Sequence, residues 1–371
     1  MTKIKRLFVA ATRQDDGKTF VSLGLFHALS KHFKASTYMK PVGQEFRLVD
    51  INNVKKKIDK DALLFQKTYN LAKDHLAHMS PIAVPKGFTK NYLDQPKQEA
   101  LQQKITDGFN FLSQHHDFVL IEGTGHAGVG SVFDCNNAQS AKLLDSPVIL
   151  VSIGGIGKSF DEIMLNASLF KQMGVNLLGV IINKITPEKA DDTIPYIKKA
   201  LARNNIPYLG YIPLNRDLLK PSIEQIILTL KPTRLENTAK THQSIQHVLV
   251  GDMLPHQALD RIKDHTLILV PGNREGLILT LLCEHLFYKK ERQMLSGFIF
   301  TDGIEPHSKI QTLLKEANLP LMLVEEDTYE TSKKLQLMSF KLNDQETEKI
   351  TSAQEMLSKA IDLKPILTAL G

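Results

Sequence analysis

Short apolar runs alternate with longer amphipathic segments through the first 215 residues of the chain. Such runs are typical of buried strands, whereas apolar positions three or four residues apart are typical of helices. The runs that predict strands cover residues 7–10, 35–39, 117–121, 147–153, 177–182 and 207–212, and the main helical segments between them cover 20–33, 94–116 and 161–173. This alternation predicts an α/β fold whose parallel sheet is covered by helices on both faces.

A second, smaller α/β pattern follows. Apolar runs around residues 248–250, 267–270 and 297–300 predict strands ending in tight turns, and residues 275–288 predict a helix. Residues 344–362 have apolar positions at helical spacing, and we expect this helix to dock on the second domain. A helix that binds a partner is the alternative.

The polar stretch 231–244 separates the two patterns, contains a proline and lacks apolar periodicity, which predicts a linker. We therefore predict a first domain over residues 1–230 and a second domain, with the C-terminal helix, over residues 245–371. Two domains also suit the length of 371 residues, because one core rarely grows beyond roughly 250–300 residues.

Composition indicates a cytoplasmic protein. The 42% hydrophobic and 23% charged content is that of a globular chain. Cys135 and Cys283 lie far apart, as expected in a reducing compartment. The first strand leaves no room for a signal peptide, and no apolar stretch approaches the roughly 20 residues that span a bilayer. We expect no membrane partner.

The net charge of +6 raises the question of nucleic-acid binding. The lysine clusters at 55–57 and 289–290 are short, lack interleaved aromatic residues and are separated by much acidic sequence. Such clusters predict a solvated surface, so we expect no nucleic-acid partner.

The first strand is followed by residues 11–19, Ala-Thr-Arg-Gln-Asp-Asp-Gly-Lys-Thr. Gly17-Lys18-Thr19 at the start of a helix is suited to binding a polyphosphate, because backbone N–H groups and the helix dipole favour an anion there. Lys18 would reach the β- and γ-phosphates and the Thr19 hydroxyl would hold Mg²⁺. The usual first glycine is missing, and an ordinary strand-helix turn is the alternative.

Charged residues follow other predicted strands. Glu122 directly follows the predicted strand 117–121 and is followed by glycines. A carboxylate that binds Mg²⁺ beside a phosphate loop has this position. Lys40 ends the second strand, where ligands bind in open α/β sheets. Asp61 lies at the start of a predicted helix, where its side chain is either a helix cap or a metal ligand. The glycine-rich stretch 154–157 predicts either a second anion site or a tight turn.

These motifs resemble those of dethiobiotin synthetase and its P-loop relatives, which include the cobyrinic acid amidases. The resemblance covers about the first 225 residues. It rests on the loop at residues 11–19, Lys40-Pro41-Val42, Asp61-Ala62-Leu63 and Glu122-Gly123-Thr124-Gly125.

The resemblance implies ATP and Mg²⁺ as cofactors and assigns residues to them. The implied nucleotide-binding residues are Thr12, Arg13, Asp16, Gly17, Lys18, Thr19, Asn183, Lys184, Pro213 and Leu214. The implied metal ligands are Thr19, Asp61 and Glu122, and the implied catalytic residues are Lys18, Lys40 and Glu122. A small anionic substrate or effector and a homodimer or higher oligomer are also implied.

Four departures from the family pattern limit what carries over. Ala11 replaces a glycine, so the loop must avoid positive φ there or carry strain. Charged residues enter the loop, and Gln44 stands where dethiobiotin synthetase has a serine that contacts its substrate. The polar insertion at residues 47–60 is expected to be a mobile loop. Nucleotide binding therefore carries over better than dethiobiotin formation.

The second domain is similar to the DRTGG domain, which accompanies this P-loop domain in the N-terminal half of long bacterial phosphotransacetylases. The matching stretches are residues 248–253, 267–276 and 297–303. The catalytic phosphotransacetylase domain is expected to be absent, because the chain ends at Gly371.

Two functions follow from the resemblances. The first is a regulatory ATP-binding protein, with or without slow ATPase activity, in acetyl-phosphate or central carbon metabolism. The alternative is an ATP-dependent ligase of the dethiobiotin synthetase or amidase type that acts on a small carboxylic acid or amine. Phosphotransacetylase activity is a weaker third reading.

Overall fold

The computed structural model describes residues 4–237, 245–288, 291–338, 342 and 346–371. The chain divides into two compact units. Met1–Leu214 and Leu342–Gly371 form the first unit, and Asn215–Lys341 form the second. The polypeptide therefore leaves the first unit, builds the second and returns.

The first unit contains strands and helices in alternation. Its strands are β1 (Lys5–Ala11), β2 (Ser36–Met39), β3 (Val42–Gly43), β4 (Phe46–Ile51), β5 (Val54–Asp59), β6 (Ile82–Ala83), β7 (Phe118–Glu122), β8 (Val148–Ile153), β9 (Leu177–Ile185) and β10 (Tyr208–Pro213). Its helices before the second unit are α1 (Lys18–Leu29), α2 (Lys60–Thr68), α3 (Leu76–Met79), α4 (Phe88–Asp94), α5 (Gln98–His115), α6 (Asn137–Leu143), α7 (Lys158–Gln172) and α8 (Ala190–Arg203).

Six of these strands form a parallel sheet in the order β10-β9-β8-β1-β7-β2. The central strands are buried on both faces, which is why they are continuous apolar runs. This confirms the predicted parallel sheet. In the register of β1 and β7, Val9 lies opposite Glu122, so the loop after β1 begins beside the end of β7.

Residues 46–59 form a hairpin, so the expectation of a mobile loop over residues 47–60 was wrong. Strands β4 and β5 pair antiparallel, with Ile51 opposite Val54. Between them Asn52 and Asn53 both adopt positive φ, 53° and 64°. Positive φ at both central residues is the requirement of a type I′ turn, and asparagine tolerates it.

The second unit is built on a five-stranded sheet in the order β11-β15-β14-β13-β12, with β11 antiparallel to its neighbour. Its strands are β11 (Arg234–Glu236), β12 (His247–Val250), β13 (Thr266–Pro271), β14 (Leu295–Thr301) and β15 (Leu321–Leu323). Its helices are α9 (Ile223–Leu230), α10 (Pro255–Arg261), α11 (Glu275–Tyr288), α12 (Ser308–Glu316) and α13 (Thr328–Gln336).

The second sheet has an apolar core on each face, because successive side chains of a strand point to opposite sides. Ile268 packs in one core and Leu267 in the other. Helix α9 packs in the latter core, although the sequence pattern placed its residues in the first domain. Part of the predicted linker forms β11, and residues 238–244 lie outside the described residues.

Two further helices, α14 (Thr347–Ala360) and α15 (Lys364–Leu370), complete the first unit. Ile350 and Leu357 of α14 are buried in the core of that unit. A Cβ atom on Gly24 of α1 would lie 2.5 Å from the Cβ atom of Leu357, so only glycine allows this close approach. The expectation that this helix docks on the second domain was wrong, because periodicity identifies an apolar face but not the surface that covers it.

No helix in the described part of the chain is long and apolar enough to cross a membrane.

Replacing Leu357 by alanine should lower the free energy of unfolding by about 2–5 kcal/mol, because the substitution leaves a cavity between α14 and α1. Urea unfolding followed by circular dichroism measures the change. Leu165→Ala is the control, since Leu165 is 73% exposed, and it should cost no more than about 0.5 kcal/mol. Equal effects of the two substitutions would contradict the packing of α14 on α1.

Candidate functional site

Most of the predicted site residues meet at the carboxyl edge of the first sheet. The loop after β1 leads into α1, Lys40 follows β2, and Glu122 ends β7. Because parallel strands end at a common edge, residues far apart in the sequence are brought together there.

The phosphate loop avoids the conformation that Ala11 would not tolerate. Ala11 belongs to β1, and positive φ occurs instead at Asp15 (65°) and Gly17 (91°). Gly17 also packs tightly, because a Cβ atom there would lie 2.3 Å from Nδ2 of Asn183. The missing first glycine therefore introduces no strain, while the glycine before Lys18 is required.

Lys18 is buried and folds back over the loop. Its Nζ donates to the carbonyl oxygens of Gly125, at 3.0 Å, and Arg13, at 3.4 Å. Burial lowers the pKa of Lys18 to about 8, and the Glu122 carboxylate opposes this shift. The ammonium group thus lies between the phosphate loop and the loop after β7.

An acidic cluster surrounds Lys40. The Lys40 ammonium pairs with the Asp61 carboxylate and lies 3.4 Å from Oε1 of Glu122 and 3.7 Å from Oδ1 of Asp59. The Thr19 hydroxyl donates to the same Oε1 at 3.0 Å. The structure therefore brings the three predicted metal ligands together with Lys40, one of the two lysines predicted to be catalytic.

Sequence reasoning missed Asp59. Its carboxylate accepts a hydrogen bond from the backbone N–H of Asp61 at 2.9 Å and caps α2. The cap of this helix is therefore Asp59, and the Asp61 side chain is directed to Lys40. The signal was present in the spacing, since the aspartate just before a helix is the preferred cap.

The charges of the cluster are only partly balanced. Burial raises the pKa of Glu122 and raises that of Asp59 to about 6. Burial would lower the pKa of Lys40, but the carboxylates of Asp61, Asp59 and Glu122 together raise it well above its ordinary value. Oε2 of Glu122 is buried without a hydrogen-bond partner among the described residues.

This donor set fits Mg²⁺. The Thr19 hydroxyl contacts Glu122, and the Glu122 and Asp61 carboxylates both contact Lys40, so three hard oxygen ligands lie near one ammonium group, with Oε2 of Glu122 buried beside them. Within the described residues, no group of three or more His, Cys, Asp or Glu is arranged to hold a metal by itself. Mg²⁺ usually takes one or two carboxylates together with water and substrate phosphates, so the site requires no such group.

The ends of β9 and β10 border the loop. Nδ2 of Asn183 donates to the Asp16 carbonyl oxygen at 2.8 Å, and the Lys184 ammonium donates to that of Asp15. Pro213 ends β10, and the Leu214 N–H donates to the carbonyl oxygen of Ile185 in β9 at 2.7 Å. The contact of Asn183, Lys184, Pro213 and Leu214 with a nucleotide base stays a prediction.

Two asparagines, which sequence reasoning also missed, fix the loops. Asn166 of α7 donates to the Thr12 carbonyl oxygen at 3.2 Å and accepts from the Ala127 N–H at 2.7 Å. Asn137 of α6 accepts from the Thr124 N–H at 3.0 Å and donates to the carbonyl oxygen of Thr124 at 2.9 Å. Neither Asn166 within α7 nor Asn137 at the start of α6 stands in a sequence pattern that signals such a role.

Arg13 is engaged within the protein. Its guanidinium pairs with the Glu162 carboxylate of α7, and this hydrogen bond raises the pKa of the arginine. The side chain of Arg13, a predicted nucleotide-binding residue, is therefore directed to α7 in this structure. A contact of its guanidinium with the nucleotide would require the side chain to leave Glu162, whereas a contact of its backbone N–H would not.

Comparison with known families identifies both domains. The AAA domain family matches residues 5–222, and the DRTGG domain family matches residues 225–338. Because the first match spans more than half of the 371 residues, the chain belongs to the AAA domain family, in its P-loop, dethiobiotin synthetase-like form. A DRTGG domain follows it. Both predicted resemblances are confirmed.

The curated relatives include phosphate acetyltransferases. That of Nitratidesulfovibrio vulgaris is 23% identical over 96% of this chain and 50% of its own length. That of Synechocystis is 25% identical over 98% of this chain and 51% of its own length. The chain thus spans about half the length of these relatives. The ATP-dependent dethiobiotin synthetase of Clostridium kluyveri is 25% identical over 64% of this chain and 97% of its own length.

Solved structures with partial similarity include the MinC:MinD cell division protein complex of Aquifex aeolicus, with a TM-score of 0.37 and 18% identity over 58% of this chain and 83% of that chain. A plasmid partition protein of Borrelia burgdorferi has a TM-score of 0.38 and 15% identity over 58% of this chain and 92% of that chain.

Replacing Lys40 by methionine should lower the free energy of unfolding by about 3–5 kcal/mol near neutral pH, because buried carboxylates lose their counter-charge. The loss should shrink when the pH falls from about 8 to about 5. The pKa of Asp59 is raised to about 6, so its carboxylate binds a proton in the folded state over this range and loses its charge. Burial raises the pKa of Glu122 in the same direction.

Urea unfolding at both pH values tests this expectation. Lys60→Met is the matched control, because the Lys60–Glu45 ion pair is exposed and should contribute less than about 1 kcal/mol. A Lys40 variant as stable as the Lys60 variant would show that the cluster is not held by charge balance.

Proposed function

We propose that the first domain binds ATP together with Mg²⁺ and that the protein acts as a regulatory nucleotide sensor with slow or no ATPase activity. The observation that carries the proposal is the meeting of Lys18, Thr19, Lys40 and Glu122 at one edge of the sheet. A phosphate loop, a hydroxyl and a buried carboxylate at one point are what a Mg²⁺–polyphosphate requires.

Each residue has a distinct role in this proposal. Lys18 moves from its carbonyl partners to the β- and γ-phosphates. Thr19, Glu122 and Asp61 hold the metal, whose charge offsets that of the phosphates. Lys40 balances the carboxylates and faces the terminal phosphate, where a positive charge stabilises negative charge that develops during transfer.

The regulatory part of the proposal rests on domain pairing. The phosphate acetyltransferase relatives align with nearly this whole chain through about half of their own length. We infer a role in acetyl-phosphate or central carbon metabolism, in which the DRTGG domain senses an anionic effector or a partner. A cytoplasmic location and a homodimer or higher oligomer are further parts of this proposal.

An ATP-dependent ligase is the second candidate. The observation in its favour is the match to nearly the full length of a dethiobiotin synthetase, together with a lysine beside the metal ligands. In such a reaction ATP phosphorylates a carboxylate or carbamate of a small substrate. Gln44, exposed near the site, replaces the serine that contacts the substrate in dethiobiotin synthetase, which argues against that particular substrate.

Isothermal titration of the full chain with ATP and MgCl₂, followed by a phosphate-release assay on the same sample, separates the two candidates. Binding with negligible turnover supports the sensor. Turnover that rises sharply with a small carboxylic acid or amine supports the ligase. Failure to bind ATP would overturn both.

Lys18→Ala should weaken the binding of Mg²⁺–ATP by at least about tenfold, which corresponds to about 1.4 kcal/mol, because a charge-assisted contact with the phosphates is lost. Isothermal titration measures the affinity, and circular dichroism checks the fold. Lys171→Ala removes an exposed lysine in the last turn of α7, away from the glycine-rich stretch 154–157, and is the control. An unchanged affinity in Lys18→Ala would remove the central claim.

Glu122→Gln should reduce Mg²⁺-dependent phosphate release more than it reduces ATP binding. The amide keeps the size of the side chain but is a poor ligand for Mg²⁺, so the metal is misplaced while the loop still holds the phosphates. Titrating MgCl₂ at fixed ATP in the release assay should show a higher Mg²⁺ requirement. Wild-type Mg²⁺ dependence in this variant would exclude Glu122 as a ligand.

A further inference from the structure

The side chain of Asp16 lies inside the phosphate loop. Its Oδ2 atom accepts a hydrogen bond from the Thr12 hydroxyl at 2.6 Å and another from the Arg13 backbone N–H at 2.8 Å. Asp16 is only 3% exposed. The loop therefore encloses a carboxylate supplied by its own sequence.

This contact uses a group that a bound phosphate needs. Backbone N–H groups before the helix are the donors that hold the anion in such loops. In this structure the Arg13 N–H already points at an anionic oxygen. Lys18, the other main phosphate ligand, donates to loop carbonyl oxygens. The Arg13 N–H and the Lys18 ammonium are thus both satisfied by partners within the protein.

A phosphate at this position would lie beside a second negative charge. Burial raises the pKa of the Asp16 carboxyl, and the hydrogen bond from Thr12 opposes that shift. Repulsion between two anions is strong where water is excluded. When a nucleotide binds, the Asp16 carboxylate must therefore move away, bind a proton or remain in place with a cost in binding free energy.

We propose that Asp16 is an internal anion that competes with the nucleotide phosphates for the loop and so weakens the binding of Mg²⁺–ATP. The inference rests on the proposed function, because it concerns the same loop. The family resemblance implied that Asp16 is a nucleotide-binding residue. The inference gives it the opposite role. Affinity is then set by the balance between internal and bound anion.

The Asp16→Asn variant separates charge from shape. Asparagine has nearly the same size, and its Oδ1 can accept the same two hydrogen bonds, but it carries no charge. The matched control is Asp15→Asn, which makes the same change of charge one residue away on an exposed side chain. Asparagine tolerates the positive φ of Asp15.

Isothermal titration of the 371-residue wild-type chain and both variants with ATP and MgCl₂ tests the proposal. Asp16→Asn should bind at least about tenfold more tightly than the wild type, and Asp15→Asn should stay within about threefold of it. The gain should persist at high salt, because a buried charge is screened less than an exposed one. Thermal unfolding checks that each variant folds, and Asp16→Ser replaces Asp16→Asn if it does not.

The outcomes separate this inference from the proposed function. Binding by Asp16→Asn but not by the wild type would support the competing anion and overturn ATP binding by the native chain. Affinity of Asp16→Asn equal to or weaker than that of Asp15→Asn would overturn the inference while leaving ATP binding intact. No binding by any of the proteins would overturn both. The tighter binding of Asp16→Asn should disappear when Lys18→Ala is combined with it. If the tighter binding remains, the inference is overturned, because the nucleotide then binds outside the loop.

Discussion

Charge balance around Lys40 is the constraint on which the site depends. Its ammonium is buried, and a buried ion is stable only when counter-charges surround it. In the pairing of β2 and β7, Met39 lies opposite Ile121, so the next residues, Lys40 and Glu122, emerge side by side. Strand register alone therefore provides the first carboxylate. The remaining ones must come from the segment that follows β2.

The hairpin β4–β5 supplies these carboxylates through its closed base. The chain leaves the site at Gly43 and returns to it at Asp59. Phe46 pairs with Asp59 and closes the base of the hairpin. A Cβ atom on Gly43 would lie 2.4 Å from Oδ2 of Asp59, so glycine allows the two ends to approach. Because its ends meet, the insertion leaves Asp59 and Asp61 in place, as loop-closure entropy grows only slowly with length.

Sequence patterns predicted the features that depend on where strands occur along the chain and on which residues follow them. Apolar runs predicted the parallel sheet, and its topology then brought Lys18 and Glu122 together. The hairpin was missed because its strands are mostly exposed and their apolar residues form no continuous run, so the Asn-Asn turn is the clearest signal. The roles of Asn137 and Asn166 depend on contacts between distant elements, which local patterns do not contain.

The C-terminal helices show why domain limits are hard to obtain from contiguous sequence. The second family match ends at residue 338, yet α14 and α15 bury Leu357 and Ile366 in the core of the first unit. Helix α14 packs against α1, and α1 begins with Lys18 of the phosphate loop. A cut at residue 230 would remove this packing and expose the face of α1 around Gly24. The nucleotide domain is therefore discontinuous, and the residues beyond the DRTGG domain are part of its core.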